Sequence, residues 1–136
     1  MKKLLFALTL PIILFGLSCK KYEEGPQISF ISDLNRISQT WALVSETSSG
    51  TTTSYTVEES PESLTFKSDS TGEATYTILG ISTSLSFAWE FIDNTQLTMS
   101  FNGLAGSTTT TITKLSSKEM WLRESDGDVT KWSAIE

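Results

Sequence analysis

A chain of 136 residues with a net charge of −6 and no histidine has room for one domain and lacks the commonest general base and metal ligand. Its acidity disfavours nucleic acid and anionic lipid surfaces as partners, and a single cysteine excludes an internal disulfide framework. Seven Phe, four Trp and three Tyr supply large side chains for a core. Ser and Thr make up roughly two residues in every seven; together with the aromatics, the Thr content favours strands over helices.

Met1-Lys2-Lys3 is a short cationic start, and Leu4 to Leu17 is an apolar run interrupted by Pro11. The run is shorter than the roughly 20 residues a membrane-spanning helix needs, so it reads as a secretory signal over residues 1–18. Ser18 places a small residue directly before Cys19. Gly16-Leu17-Ser18-Cys19 resembles the lipobox of bacterial lipoproteins, in a looser form similar to that of Bacteroidetes, with Gly16 and Leu17 in reversed order. The resemblance implies a lipid on the Cys19 sulfur and a membrane anchor in the cell envelope, on the periplasmic or surface-exposed face of the outer membrane. Removing residues 1–18, which carry Lys2 and Lys3 and no acid, takes the net charge from −6 to −8. Residues 19–32 read as a flexible tether ending its charged part in Gly25-Pro26. Lys20-Lys21 followed by Glu23-Glu24 is similar to surface-export signals of such lipoproteins and equally suits a solvated linker.

Asp33 could cap a helical turn through Ile37, with Leu34 and Ile37 placed to plug what lies below. From Thr40 onward the pattern has period two, with turn residues every eight to twelve positions or so. Thr40–Glu46 is a first strand. Thr52–Glu58 is a second, with Tyr55 and Val57 on one face. Glu62–Lys67 puts Leu64 and Phe66 together, and Ser68 to Gly72 is a loop. Glu73–Leu79 places Ala74, Tyr76 and Ile78 on one face. Gly80 opens a turn before Leu85–Ile92, the clearest alternation in the chain, in which Leu85, Phe87, Trp89 and Phe91 share a face. After Asp93-Asn94, Gln96–Phe101 carries Leu97, Met99 and Phe101 on one face. A loop over 102–106 leads to a Thr-rich strand, Thr108–Leu115. Glu119–Glu124 opposes Met120 and Leu122 to Trp121 and Arg123. Asp126-Gly127 is a hairpin signal, and Val129–Ile135 closes the chain.

These elements define an all-β domain over residues 33–136: an antiparallel up-and-down meander of eight to nine strands with a short N-terminal helical turn. Its connections are too short for helical crossovers, and closure into a barrel would remove exposed edges. The order of features resembles small lipocalin-like proteins of bacterial envelopes. A helical turn precedes Trp41; Leu64-Thr65-Phe66 leads to Asp69 and Gly72; an apolar strand contains Trp89; Gln96-Leu97-Thr98 follows; and a late strand carries Arg123. The resemblance implies a lipocalin-like β-barrel in which Trp41 packs near Arg123 and closes one end, a structural contact of about 0.5–2 kcal/mol. Gln39 stands where the family's Gly-x-Trp motif has glycine, and Arg123 could instead face solvent beside Glu119 and Glu124.

A barrel of eight strands is just wide enough to be filled by side chains or to hold one small ligand. Tyr55, Phe66, Tyr76, Phe87, Trp89, Met99 and Phe101 are candidate lining for a small apolar or amphipathic molecule, or else simply the core. The carboxylates offer no catalytic set: Glu58, Glu59 and Glu62 gather around Pro61 as a loop tip would. The lack of His, with Cys19 taken up by lipid, rules out His- or Cys-based nucleophilic sites and the usual zinc sets. Asp69 to Glu73 and Asp126 to Asp128 lack the full ligand set for calcium and read as turns. No phosphate loop or cofactor motif appears, and no catalytic residue is assigned. The expected function is that of a membrane-anchored, non-enzymatic binding module, with an envelope protein as the alternative partner.

Overall fold

The computed structural model describes residues 32–93 and 95–136; the leader, Cys19 and most of the tether lie outside them. A single helical turn, α1 (Asp33–Ile37), precedes nine strands: β1 (Thr40–Ser48), β2 (Thr51–Ser54), β3 (Glu62–Phe66), β4 (Thr71–Ile78), β5 (Ile81–Ile92), β6 (Gln96–Phe101), β7 (Thr108–Leu115), β8 (Glu119–Arg123) and β9 (Val129–Ala134). Successive strands from β3 to β9 pair antiparallel, and β1 pairs with both β3 and β9. The ring of eight strands is therefore closed, with β2 as one extra strand. This is the antiparallel meander the alternating pattern implies.

β1 serves three partners because it is long and bent. Thr40 to Ala42 pair with β3, whereas Ser45 to Ser48 pair with β2. On its other edge Trp41 to Thr47 run along β9, with a bulge between Leu43 and Ser45. A bulge adds one residue to a strand and turns every later side chain to the other face. Trp41 and Leu43 point inward before it; Glu46 points inward after it, opposite Thr130.

The meander defines two ends. α1 and the β3–β4, β5–β6 and β7–β8 turns form the lower end; the remaining connections form the upper end. α1 plugs the lower end with Ile37, which is fully buried, while Leu34 stays exposed. Ser32, rather than Asp33, is the N-cap, accepting from the Asn35 amide at 3.3 Å. Asp33 instead pairs with the buried Arg36 at 3.2 Å, and Arg36 also donates to the Leu115 carbonyl at 3.4 Å. Trp41 donates its Nε1–H to the Ile37 carbonyl at 3.0 Å. The Gln39 amide reaches the Arg36 carbonyl at 2.7 Å and the Ser117 carbonyl at 3.1 Å, tying the start of β1 to the β7–β8 turn.

The lower and middle lumen is a packed core. Phe66 meets Phe87 and Trp89 edge-on at centroid distances of 5.3 and 5.5 Å, and Trp89 meets Phe91 at 5.5 Å. Such edge contacts stabilise beyond simple area burial by about 0.5–1.5 kcal/mol each. The Asp69 to Gly72 segment exists to seat these rings. Asp69 accepts from the Thr71 amide at 3.0 Å and its hydroxyl at 2.6 Å, and the Thr71 carbonyl accepts the Trp89 Nε1–H at 3.0 Å. The next position must be glycine, because a Cβ on Gly72 would meet the Phe87 ring and lie 2.5 Å from the Thr65 carbonyl oxygen.

Two strands depart from the sequence expectation. β2 stops at Ser54, so Tyr55 and Val57 lie in the connection to β3 and not on one strand face. β5 begins at Ile81, not Leu85, because Leu79-Gly80 alone makes the turn, both with positive φ (52° and 77°). Its polar start is held by hydroxyl pairs, Thr75 with Ser84 and Thr77 with Ser82, each at 3.0 Å.

Candidate functional site

The upper lumen differs from the core below it. Strict alternation on β3 places Glu62 on the inward face with Leu64 and Phe66, opposite Tyr76 of β4. The bulge in β1 adds Glu46 to the same space. Tyr55 leans over from the β2–β3 connection and donates its hydroxyl to Glu46 Oε1 at 2.6 Å, and the Tyr76 hydroxyl bonds the Glu62 carboxylate. Two carboxylates and two phenols thus face one another above the apolar core.

Their electrostatics are coupled. Partial burial pushes the Glu62 carboxyl up to about 7; the Tyr76 hydrogen bond opposes this, and the negative charge of Glu46 adds to it. Tyr55 is raised first by its hydrogen bond to Glu46, and Tyr76 is raised by burial and then by the charge of Glu62. At neutral pH Glu46 therefore shares its space with two neutral phenols and with a Glu62 carboxyl that is only part-ionised.

Five of the six described basic residues lie away from these charges. Arg36 is at the lower end with Asp33. Lys114 and Lys131 lie over the outer face of Trp121, at 4.7 and 3.9 Å. Lys118 sits by Glu136 at the lower end, and Lys67 is in the β3–β4 turn. Arg123 is on the outward row of β8, between the inward Leu122 and the turn.

The packed core also holds a buried polar group. Thr110 lies opposite Leu97, whose side chain is fully buried in the core, and one inward position above Ile112. Its hydroxyl has no hydrogen-bond partner among the described residues, although the residue is only 5% exposed. A buried hydroxyl left without a partner costs about 1–3 kcal/mol. At the rim, Ile78, Leu79 and Ile81 at the β4–β5 tip are 71–97% exposed, and Leu104 in the β6–β7 loop is 62% exposed.

The seven aromatic and Met candidates divide between the two halves. Phe66, Phe87, Trp89 and Met99 belong to the packed core. Tyr55 and Tyr76 face the polar space, and the half-buried Phe101 stacks on Phe87 at 5.4 Å. The expected contact between Trp41 and Arg123 is not formed. Trp41 pairs with Ala134, whereas Arg123 pairs with Val129, five positions away along β9, or roughly 17 Å at strand rise. The buried arginine at the Trp41 end is Arg36, from α1. Glu62 is likewise not part of a loop tip: it begins β3 and faces the lumen. Alternation through Leu64 and Phe66 already carried that signal. Glu46 left none, because the bulge at Val44 reverses the face that alternation from Trp41 assigns.

A closed eight-stranded antiparallel meander with a helical turn plugging one end is a lipocalin-type architecture. A family model described as a lipocalin-like domain matches residues 37–122, and the chain belongs to that family. In structure it is similar to a lipocalin-like protein from Bacteroides uniformis, with a TM-score of 0.64 and 13% identity over 74% of this chain and 99% of that one. It is also similar to an uncharacterised protein from Bacteroides eggerthii, with a TM-score of 0.60 and 12% identity over 71% of this chain and 98% of that one. At these identities the likeness carries the fold alone. No curated protein matches the chain in sequence.

Proposed function

We propose that the protein is a lipid-anchored envelope protein that holds a small amphipathic molecule in the upper lumen of its barrel. The observation that carries the reading is the division of the lumen. The lower part is filled by interlocking aromatics, while the upper part carries two carboxylates and two phenols. Packed interiors are apolar or satisfy their polar groups, so a partly desolvated carboxyl beside a second acid suits a site that a ligand completes. The apolar rim would take the less polar end of such a molecule. The Met1 to Cys19 segment supports anchoring, and two or more acyl chains on Cys19 hold a protein stably on a bilayer. Native mass spectrometry of protein purified from its own envelope tests the reading. A bound small molecule of constant mass supports it, and apo protein alone counts against it. Fractionation of the Cys19→Ser variant tests the anchor: the variant leaves the membrane fraction, whereas wild-type retention would remove that part of the account.

The exposed tip Ile78-Leu79-Gly80-Ile81 favours a second reading, in which this surface meets an envelope protein. Single exposed apolar residues are ordinary; several together at one hairpin mark contact surfaces. Photocrosslinking from position 79 in cells would return one reproducible partner under this reading, and none otherwise.

A further inference from the structure

The β4–β5 hairpin carries features that folding does not explain. β6 pairs with β5 only from Phe87 onward, so Ile81 to Leu85 run past the end of β6 by about 17 Å at strand rise. The projecting tip is aliphatic, with Ile78, Leu79 and Ile81 all exposed, and Leu104 is exposed in the adjacent β6–β7 loop at the same end. Four non-glycine residues among those described have positive φ: Ser49, Ser70, Asp93 and Leu79. The first three are polar turn formers. Leu79 adopts a φ of 52°, which a branched apolar side chain disfavours, and at 97% exposure it repays nothing by burial in this chain.

The charges are distributed to match. The chain is 19% charged, yet residues 74–89 and 94–113 carry no charge. These two runs contain the β4–β5 tip and the β6–β7 loop, whose strands β5 and β6 are neighbours in the ring. The other upper connections hold Glu58 and Glu59, and Glu124, Asp126 and Asp128. The upper end is thus apolar on one side and acidic on the other. The hairpin also satisfies its own polar groups. Ile78 faces Ile81 at the end of the ladder, and hydroxyl pairs join Thr75 to Ser84 and Thr77 to Ser82. Such a tip can enter an apolar medium without stranding hydrogen-bond donors along its arms.

We propose that the β4–β5 tip, with Leu104 from the adjacent loop, inserts into the neutral, zwitterionic surface of the bilayer that carries the Cys19 lipid, holding the upper end of the barrel against the membrane. The proposal rests on the anchored reading above and adds the orientation of the barrel. A bilayer suits the tip better than a protein groove, because protein contacts are anchored by aromatic and Arg side chains and the tip presents none. A neutral surface suits it because the acids on the other side of the same end repel anionic lipid. The tether permits the geometry. Cys19 to Ile31 is thirteen residues and spans at most about 45 Å. The tip lies one strand, the eight residues of β4, above the lower end, or about 26 Å.

The test uses the acylated protein purified from its own membrane and reconstituted in phosphatidylcholine vesicles. Acylation leaves no free thiol at Cys19, the only cysteine, so Leu79→Cys, Leu104→Cys and Asp126→Cys each provide one site for a bimane label. Nitroxides on the lipid acyl chains should quench labels at 79 and 104 and spare the label at 126. With the label at 104, Leu79→Asn should lower the inserted-to-free ratio about tenfold, as loss of one buried aliphatic side chain predicts. Asparagine suits this φ, and a melting curve confirms that the variant is folded. Labels at 79 and 104 quenched no more than at 126, or a signal at 104 indifferent to Leu79→Asn, would overturn the proposal and leave the anchor standing. A tip that is unquenched in vesicles but crosslinks to one protein in cells would overturn it in favour of that protein. Intact mass reads the anchor separately: if Cys19 carries no acyl chain, the anchored reading falls and takes this proposal with it.

Discussion

Glu62 makes the division of the lumen measurable as stability. Its carboxyl is held at about 7, against 4.5 in the unfolded chain. Between these values the folded state keeps a proton that the unfolded state has released. By linkage, the folded state therefore loses stability as pH rises from about 4.5 to about 7, and below that window the loss vanishes. The difference corresponds to at most about 3 kcal/mol. Glu62 is only partly buried, and screening reduces the figure to about 1–2 kcal/mol. Glu62→Gln keeps the shape and the hydrogen-bonding capacity toward Tyr76 and removes the titration. The variant should match wild type near pH 4 and exceed it at pH 8 by that amount. For a domain of this size the gain is a rise in Tm of about 4–10 °C. Thermal melts of both proteins across this range read the difference curve, in which the other carboxylates cancel. A difference that does not change with pH, or a Gln variant less stable than wild type at pH 8, would refute the placement of Glu62 in a desolvated, acid-paired site.

Three further outcomes follow from the packing. Gly72→Ala forces a methyl against the Thr65 carbonyl and the Phe87 ring and should cost about 3 kcal/mol, at the upper end for overpacking; urea denaturation reads it as a lower midpoint at unchanged slope, and wild-type stability would contradict it. Trp41→Phe removes the indole bond to the Ile37 carbonyl and some buried volume, and should cost about 2–3 kcal/mol by the same assay. Leu79→Asn should stabilise by about 0.5–1 kcal/mol, because Leu79 sits exposed at a φ of 52° that asparagine adopts with less strain; a lower Tm would show that Leu79 makes contacts beyond the turn.

The barrel was legible because each strand buries one face, so Leu85 to Phe91, Leu97 to Phe101 and Met120 to Leu122 announce their inward sides. Short turns then leave only a meander. The candidate site was legible in fragments. Tyr55 and Tyr76 stood out as aromatics, but the side chains that give the space its chemistry did not. Glu46 was hidden by a backbone irregularity, since a bulge has no side-chain signature of its own. Glu62 was masked by its acidic neighbours Glu58 and Glu59, which suggest a solvated tip. In the core, Thr110 sits in a run of four threonines, Thr108 to Thr111, where only the register with β6 tells which hydroxyls turn inward. The closure of the lower end misled for a similar reason. A late-strand arginine and an α1 arginine are equivalent on composition, and only pairing along β9 separates Arg123 from Trp41.

The central claim is that the lumen is packed below and completed by a ligand above. A crystal structure of the protein purified from its own envelope tests it most directly. The account predicts density for a compact molecule bounded by Glu46, Tyr55, Glu62 and Tyr76, over an undisturbed stack of Phe66, Phe87 and Trp89. An upper lumen closed by its own side chains would contradict it.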